Sequence, residues 1–382
     1  MAITGSGTSA DPWIVHDWSE FTEKKADGNN NYIRFADINI DENGDFVIEG
    51  DGTSSNPFQV STYNEMLYAT GAPFIYQCKL MESEDENNNA FAISPAEPRL
   101  YYYDDGESDI KYCLFNPRPS TIDFNDISDG YIDNFYITNH VDCNGWTWLN
   151  ARVDMNNSSI PGIFTAGNMY SASSKASVRN LILLNCQAKA TKSTCYLFSM
   201  NMIYTIMQIE VDATAVPSSQ ESYGINFAMD TDSYGGRFEK VSLVLKIIGN
   251  CSLLNSGSGN GSFNIIDSIV NIDANCTYLG RKTSYVGATL HILSSVLKGR
   301  INFTTQNTYS YIYKMSDSIH DVEYNNTPSP PRTSGTNSVF NKDKVNWSDS
   351  TGLTGVTSEQ LLSPTALQAA GLSIGVDEDV SD

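Results

Sequence analysis

Short β-rich runs recur at a nearly constant interval in the second half of the sequence, and this spacing constrains the fold more than any other feature. Four segments begin about 25 residues apart, at Phe238, Phe263, Ala288 and Tyr313. Each contains one or two short runs that are rich in β-branched residues and bounded by Asn, Asp, Gly or Ser. A repeat of this length is typical of stacked structural units. We therefore predict that each segment forms one coil of a solenoid.

The stretches between these runs carry no amphipathic pattern long enough for a crossover helix, which argues against an α/β sheet. We predict an all-β fold, a right-handed parallel β-helix, in which Ile, Val and Leu fill a narrow interior. The β-helix is expected over residues 71–326, with surface excursions near residues 82–129. Asparagines are expected at the corners, where left-handed or bridging conformations are needed. The candidates are Asn180, Asn185, Asn250, Asn271 and Asn275.

The start of the chain states nearly the same phrase twice. "GSGTSADPWIVHDWSEF" begins at Gly5 and "GDGTSSNPFQVSTYNEM" begins at Gly50. Each indicates a glycine turn, a short strand and a helix, with Asp17–Glu20 and Thr62–Glu65 at capping-box spacing. An open end of a β-helix exposes apolar side chains and unpaired backbone groups. We therefore expect residues 1–70 to form a cap and the first coils, with a short helix as the plug.

Residues 327–382 are expected to form a linker and a closing or attachment element. The segment "VTSEQLLSPTALQAAGLSIG" places Ser363 as a helix N-cap, Pro364 at the first helical position and Gly371 as the stop.

Composition excludes several kinds of partner. The formal charge is −22, with only 23 Lys and Arg, so most of the surface would repel nucleic acids and anionic membranes. The start of the sequence lacks the pattern of a secretory signal, which predicts synthesis in the cytoplasm. The seven cysteines are odd in number and show no CxxC spacing, so we expect buried small side chains rather than disulfides or metal ligands. No cofactor and no metal are expected.

The opening phrase, the strand-rich middle and the closing "LTGVTSEQLLSPTALQAAGLSIG" together resemble β-helical virion proteins of tailed bacteriophages, of the tail-fibre, tailspike and head-fibre type. The resemblance covers about the first 70 and last 30 residues by phrase and the middle by texture. It implies a virion location, other virion proteins as partners and a homo-oligomer, with a trimer favoured. It carries no catalytic motif with it.

Acidic residues are the only candidates for catalysis, because β-helical polysaccharide-degrading enzymes use paired carboxylates on the outside of the coils. The candidates are Asp104, Asp105, Asp123 and Asp126. The alternative is a solvated acidic loop, which we favour because Asp is abundant in this region.

Aromatic residues are the candidates for ligand binding. Trp146 and Trp148 alternate and would face the same side of a strand, and with Tyr101 and Tyr103 they would form a platform on which a sugar ring stacks. The alternative places the tryptophans in the core or at a subunit interface.

The leading functional hypothesis is a non-enzymatic phage structural protein that also binds a host-surface polysaccharide. The alternatives are a polysaccharide-cleaving tailspike and a bacterial β-helical adhesin. Shortening of polysaccharide chains would distinguish the tailspike, and absence from purified virions would indicate the adhesin.

Overall fold

The structure is a computed structural model of the 382-residue chain. It describes residues 2–26, 31–69, 76–78, 112–115, 120–128, 130–133, 135–136, 140–155, 162–165, 177–191, 195–198, 200–216, 225–228, 237–249, 252–255, 262–276, 278–281, 289–303, 312–325, 332–347 and 352–372. These residues belong to two compact units, Met1–Lys189 and Ala190–Asp382.

The elements of the first unit are, in chain order, β1 Trp13–Val15, α1 Trp18–Ala26, β2 Asn31–Phe35, β3 Phe58–Val60, α2 Tyr63–Ala69, β4 Tyr76–Cys78, β5 Tyr112–Phe115, β6 Thr121–Asp123, β7 Ile132–Asp133, β8 Phe135–Tyr136, β9 His140–Asp142, β10 Thr147–Leu149, β11 Arg152–Asp154, β12 Gly162–Thr165, β13 Ser177–Arg179 and β14 Ile182–Lys189.

The two copies of the opening phrase fold alike. Gly5 and Gly50 both have positive φ, and a Cβ on either would lie within 2.2 Å of a proline carbonyl oxygen, so only glycine fits this turn. The next turn also matches, because Thr8 Oγ1 accepts a bond from the Asp11 N–H and Thr53 Oγ1 accepts one from the Asn56 N–H, each at 3.1 Å. The predicted duplication of structure is confirmed.

Both helices begin with the predicted reciprocal cap. Asp17 Oδ1 accepts from the Glu20 N–H at 2.8 Å, and Thr62 Oγ1 accepts from the Glu65 N–H at 3.0 Å. Each glutamate then reaches back to the N–H of the residue before the N-cap, at 2.7 Å for Glu20 and 2.8 Å for Glu65. The bond from the His16 N–H lowers the pKa of Glu20. Four helix-start contacts are thereby made by side chains of the phrase itself.

The strands after the two helices pair differently. β2 runs parallel to β1, whereas β4 pairs antiparallel with β2 and not with β3. The parallel partner of β3 is β5, which lies beyond a long insertion. The small sheet β1-β2-β4 therefore combines strands that follow both helices, and β3 of the second phrase feeds into the coils.

Parallel pairing builds the coils of the first unit. One sheet has the order β3-β5-β9-β13, a second has β6-β10-β14 with β7 and β11 alongside, and a third pairs β8 with β12. The interior of this unit is aromatic, with Phe124 and Phe135 packed on the ring of Trp148. This differs from the predicted aliphatic interior. Tyr63 of α2 packs on Phe124 and Trp148, so this helix covers the core as the plug hypothesis predicts.

The elements of the second unit are β15 Cys195–Phe198, β16 Asn201–Ile203, β17 Ile206–Ala213, β18 Ile225–Ala228, β19 Arg237–Glu239, β20 Ser242–Gly249, β21 Ser252–Asn255, β22 Ser262–Ile266, β23 Ile269–Cys276, β24 Tyr278–Arg281, β25 Thr289–Leu293, β26 Val296–Phe303, β27 Ile312–Ser316, β28 Ile319–Asn325, β29 Arg332–Thr336, β30 Ser338–Asn341, β31 Leu353–Val356, a 3-10 turn Gln360–Leu362 and α3 Pro364–Ala369.

Parallel strands of the second unit stack in three sheets, with orders β16-β19-β22-β25-β27-β29, β17-β20-β23-β26-β28-β30-β31 and β15-β18-β21-β24. Residues that are hydrogen-bonded to each other on successive coils are 36, 27, 27, 23 and 20 positions apart in the sequence. The fold is a parallel β-helix, as predicted from the recurrence near 25 residues. The interior of these coils is largely aliphatic, as in the buried column Leu245, Ile272 and Val322.

Each coil turns sharply between the first and second sheets at a residue with positive φ. In the second unit these corner residues are Tyr204, Lys240, Asp267, Ser294, Asp317 and Asn337. The prediction of asparagine corners is confirmed for Asn180, which has φ of 51° between β13 and β14. Asn185 has the predicted positive φ, 52°, but it lies at a bend within β14 and not between two sheets. The prediction is wrong for Asn271 and Asn275, because both lie within β23, and Asn250 lies outside the described residues.

A ladder of buried serines follows these corners. Ser295 Oγ accepts from the Ser268 N–H at 3.0 Å, and Ser318 Oγ accepts from the Ser295 N–H at 3.1 Å. Ser338 continues the ladder by accepting from the Ser318 N–H at 3.1 Å. The hydroxyls replace bonds that the turned backbone cannot make between coils, which keeps buried N–H groups satisfied.

Helix α3 packs on the outward side of the last coils. Ser363 Oγ accepts from the Ala366 N–H at 3.3 Å, Pro364 occupies the first turn, and Gly371 has φ of 94° just beyond the helix. Leu367 and Leu372 pack with Val339 and Val356 in one buried cluster, and Val339 is in register with the outward-facing Ile319. The predicted start and stop of this helix are confirmed, whereas its role as a closing or an attachment element stays a prediction.

Candidate interaction surface

The structure describes two of the acidic candidates, and one of them, Asp123, forms hydrogen bonds across a corner of the first unit. The carboxylate of Asp123 accepts two bonds from the Asn150 amide, at 3.0 and 3.1 Å, and one from the Asn125 N–H at 3.0 Å. Asn150 in turn accepts a bond at 2.7 Å from the Asn185 amide on the following coil. Asp123 is thus one rung of a ladder that holds corners together. Asp126 is exposed in the turn after β6, and Asp104 and Asp105 lie outside the described residues.

The tryptophan candidates lie in the core, and this corrects the expectation of a sugar-stacking platform. Trp148 is completely buried, and Trp146 is 7% exposed and packs on Phe115. The two face the same side of β10, as their alternation predicts, but that side is the interior. A ring enclosed by neighbouring rings has no free face for a sugar, so both are withdrawn as ligand-binding residues. Tyr101 and Tyr103 lie outside the described residues.

Three cysteines have buried thiols, in agreement with the sequence prediction. Cys113, Cys143 and Cys186 are free and buried. Burial raises the pKa of all three thiols, to about 12 for Cys186. Such thiols are unreactive packing groups. Within the part of the chain that the structure describes, no cluster of His, Cys, Asp or Glu has the arrangement of a metal site.

The candidate interaction surface is the outward side of five neighbouring parallel strands of the second unit, β17, β20, β23, β26 and β28. We call it the outer face. Strand β17 alternates strictly between exposed and buried residues, and its register with the following strands places equivalent residues in straight columns. Such side-chain ladders stabilise flat sheets.

One column alternates in charge from coil to coil. This charge column consists of Glu210, Lys246, Asp273, Arg300 and Glu323. Lys246 Nζ lies 2.9 Å from Glu210 Oε2, and Arg300 Nη2 lies 3.3 Å from Asp273 Oδ2. All four side chains are about half exposed. Exposed pairs of this kind contribute roughly 0 to 1 kcal/mol each, so their alternation sets coil register more than it adds stability.

Another column is apolar although it faces solvent. This apolar column consists of Ile206, Ser242, Ile269, Val296 and Ile319. Ile206 and Ile269 are 50% and 48% exposed, and Val244, in the neighbouring column, is 49% exposed. These three surround the small side chain of Ser242. An exposed cluster of large aliphatic residues on a flat sheet is a feature of interaction sites.

Polar groups border the apolar column on both sides. At the corner, Lys240 Nζ donates to Tyr204 Oη at 3.0 Å, and this bond raises the pKa of Lys240. At the far end of the strands, Asn302 donates to Asn275 at 2.9 Å and Asn325 donates to Asn302 at 2.7 Å. The outer face therefore has a polar rim around an apolar centre, as interfaces commonly do.

A buried polar group lies inside the same coils. His320 is completely buried, and its Nε2 lies 3.0 Å from Tyr324 Oη, which lies 2.9 Å from Tyr313 Oη. The ring of Trp347 packs on the imidazole with 4.5 Å between centroids. Desolvation lowers the pKa of His320 to about 3, so the imidazole is neutral at physiological pH.

Sequence reasoning missed both the outer face and the buried histidine. The signal for the outer face is present, since alignment of the coils on Ser268, Ser295 and Ser318 brings the charged residues into one column. The same alignment carries a signal for His320, because it places this residue in the column of Val270 and Leu297, which are buried. The pattern of β28 on its own does not reveal it.

Comparisons with family models, with curated proteins and with solved structures gave no match to this chain. The helices among the described residues are too short or too polar to cross a lipid bilayer.

Proposed function

We propose that this chain is a structural component of a tailed-bacteriophage particle, a fibre, spike or decoration protein, that works by presenting the surface of its coils. The observation that carries the proposal is the set of stacked parallel coils in each unit, with helix α2 packed over the aromatic core of the first unit. A helix over an exposed core hinders the addition of further strands there, which limits aggregation of the coils. The phrases at both ends of the chain, which resemble phage virion proteins, support the same assignment.

The outer face supports a presenting role rather than an enclosed chemical site. Its side chains are ordered by ladders that cross several coils, and the acidic candidate Asp123 is occupied in holding a corner. Ordered side chains on a rigid sheet bind a partner with little loss of conformational entropy. In the proposed role the partners are other virion proteins and a host-surface polysaccharide.

The location is tested by mass spectrometry and by immunogold labelling of purified virions with antibodies against the recombinant chain. The proposal predicts peptides from the chain at a fixed ratio to the major capsid protein, and gold particles at one place on the virion. Absence of both from purified virions, with the chain found instead on the bacterial surface, would favour the adhesin hypothesis.

The polysaccharide role is tested separately with the purified chain and host-surface polysaccharide. Binding without any shortening of the polysaccharide, measured by light scattering after prolonged incubation, is the expected result. Shortening by the wild type that is lost in Asp123→Asn or in Asp126→Asn would support the tailspike enzyme instead. Glu42→Gln, at an exposed acidic residue outside the catalytic candidates, is the control for these variants.

A further inference from the structure

The outer face carries a pattern that is complementary to itself. Glu210, Lys246, Asp273 and Arg300 change sign at every coil. A copy of the column turned end over end, with the axis midway between the β20 and β23 coils, brings Lys246 opposite Asp273 and Glu210 opposite Arg300. If the rotation axis passed through one coil, Lys246 would face Arg300 or another like charge. If the two columns ran in the same direction at the same level, each charge would face its own copy.

From this pattern we propose that two copies of the chain associate through their outer faces, antiparallel, about a two-fold axis that runs along the strands between β20 and β23. A two-fold axis in this direction superimposes each column on the same column of the partner. The apolar column therefore meets an apolar column. Ile269 of one copy lies over the small Ser242 of the other, and Ile206 lies over Val296.

The register is set by the neighbouring column as well. With the axis between β20 and β23, Val244 lies opposite the uncharged Asn271. Moving the axis by one coil would place Val244 opposite Asp321, which brings an aliphatic side chain against a carboxylate, and Ser242 opposite Ile319. On the outer face, the half-exposed aliphatic residues Ile206, Val244 and Ile269 lie on β17, β20 and β23, around the proposed axis.

The net charge of the face permits this contact in a strongly acidic protein. The outward residues carry three positive charges, on Lys246, Lys298 and Arg300. They carry five negative charges, on Glu210, Asp212, Asp273, Asp321 and Glu323. The balance of 3 − 5 = −2 is small beside the −22 of the whole chain. Repulsion between copies is therefore lower on this face than the overall charge implies.

The size of the face sets the expected affinity. The four strands that face one another, β17, β20, β23 and β26, lie about 4.8 Å apart and have eight residues of about 3.3 Å each, which gives roughly 19 by 26 Å, or about 500 Å² per copy. The total of roughly 1,000 Å² is typical of weak complexes, so we expect a weak dimer with a micromolar dissociation constant. This inference does not depend on the proposed virion function.

The experiment uses sedimentation velocity on the full chain from 1 to 100 μM, with two single charge reversals, Lys246→Glu and Asp273→Lys. Each variant alone places like charges across the axis twice, and its dimer should weaken by at least about tenfold. In an equal mixture, the new carboxylate at position 246 of one variant faces the new ammonium group at position 273 of the other. The two unchanged side chains, Asp273 of the first variant and Lys246 of the second, also face each other. The mixture should therefore regain the dimer as a heterodimer.

Glu323→Lys is the matched control, because it reverses a charge in the same column beyond the coils that pair. It should leave dimerisation unchanged, and circular dichroism of all variants checks that they are folded. A wild type that stays monomeric at 100 μM, or that forms a trimer, overturns the proposal. So does a mixture of the two weakened variants that fails to recover the dimer.

Discussion

Acid should destabilise this protein through His320. The imidazole is enclosed by Tyr313, Tyr324 and Trp347, with Asp321 next in sequence and Lys344 nearby. The pKa of His320 is lowered from 6.5 to about 3, mainly by desolvation; the Lys344 charge acts in the same direction and Asp321 in the opposite one. The unfolded chain therefore binds a proton that the folded chain does not bind.

The sign and size follow from proton linkage. Because the folded pKa lies below the unfolded value, the full stability is present above pH 6.5 and is lost as the pH falls from 6.5 towards 3. One pKa unit corresponds to about 1.4 kcal/mol, so at pH 4.5, two units below the unfolded pKa, His320 should cost about 2 to 3 kcal/mol of the free energy of unfolding. That is a large part of the stability of an ordinary domain.

The assay compares urea unfolding at pH 7 and pH 4.5 for the wild type and His320→Gln, which cannot gain the proton but can still bond to the Tyr324 hydroxyl. Tryptophan fluorescence is a suitable readout, because Trp347 packs directly on residue 320. The wild type should lose about 2 to 3 kcal/mol more than the variant between the two pH values. The many carboxylates that also titrate cancel in this difference.

His291→Gln is the matched control, because His291 lies between two buried residues of β25 and is itself only partly buried. Partial burial also lowers the pKa of His291, so its removal should give a smaller difference of the same sign. If His320→Gln loses as much stability in acid as the wild type does, His320 is not the group responsible and the reasoning fails.

Three further substitutions test the backbone devices, with thermal and urea unfolding as the measurements. Gly50→Ala should destabilise by more than about 2 kcal/mol, since a Cβ there meets a carbonyl oxygen at 2.2 Å. Gly44 also has positive φ but open space around it, so Gly44→Ala should cost only about 1 to 2 kcal/mol. Equal effects of the two substitutions would contradict the steric argument. Thr62→Ala should cost about 1 kcal/mol through loss of the N-cap of α2, and no change would show that the cap is dispensable. Ser295→Ala should cost about 1 to 3 kcal/mol because the buried Ser268 N–H loses its acceptor, and an unchanged midpoint would refute the serine ladder.

Local features of the fold could be read from the sequence because short-range chemistry fixes them. Asp17 and Glu20 are three residues apart, and a side chain at that distance reaches the first N–H groups of a helix whatever the rest of the chain does. Ser363 and Pro364 predicted the start of α3 for the same reason. The recurrence of β-rich runs predicted the parallel coils, because a coil length is a property of the chain itself.

The corners were only partly predictable. Asparagine tolerates positive φ, and Asn180 confirms that preference. Tyr204, Lys240 and Ser294 adopt the same conformation against their own preference, since hydrogen bonds to the next coil compensate for a cost of about 1 to 2 kcal/mol. Asn271 was misplaced because an outward position in a strand accepts asparagine equally well.

The sequence by itself determined that this chain forms helically capped, stacked β-coils, because period, turn residues and caps act over distances of a few residues. Only the tertiary structure decided which side of each strand faces inward. It enclosed Trp148 where the sequence allowed a binding platform. It buried His320 in the interior of the coils, and it brought Lys246 and Asp273 onto the outer face. These placements depend on register between coils 20 to 36 residues apart, and a shift of one residue would exchange the two sides of every strand.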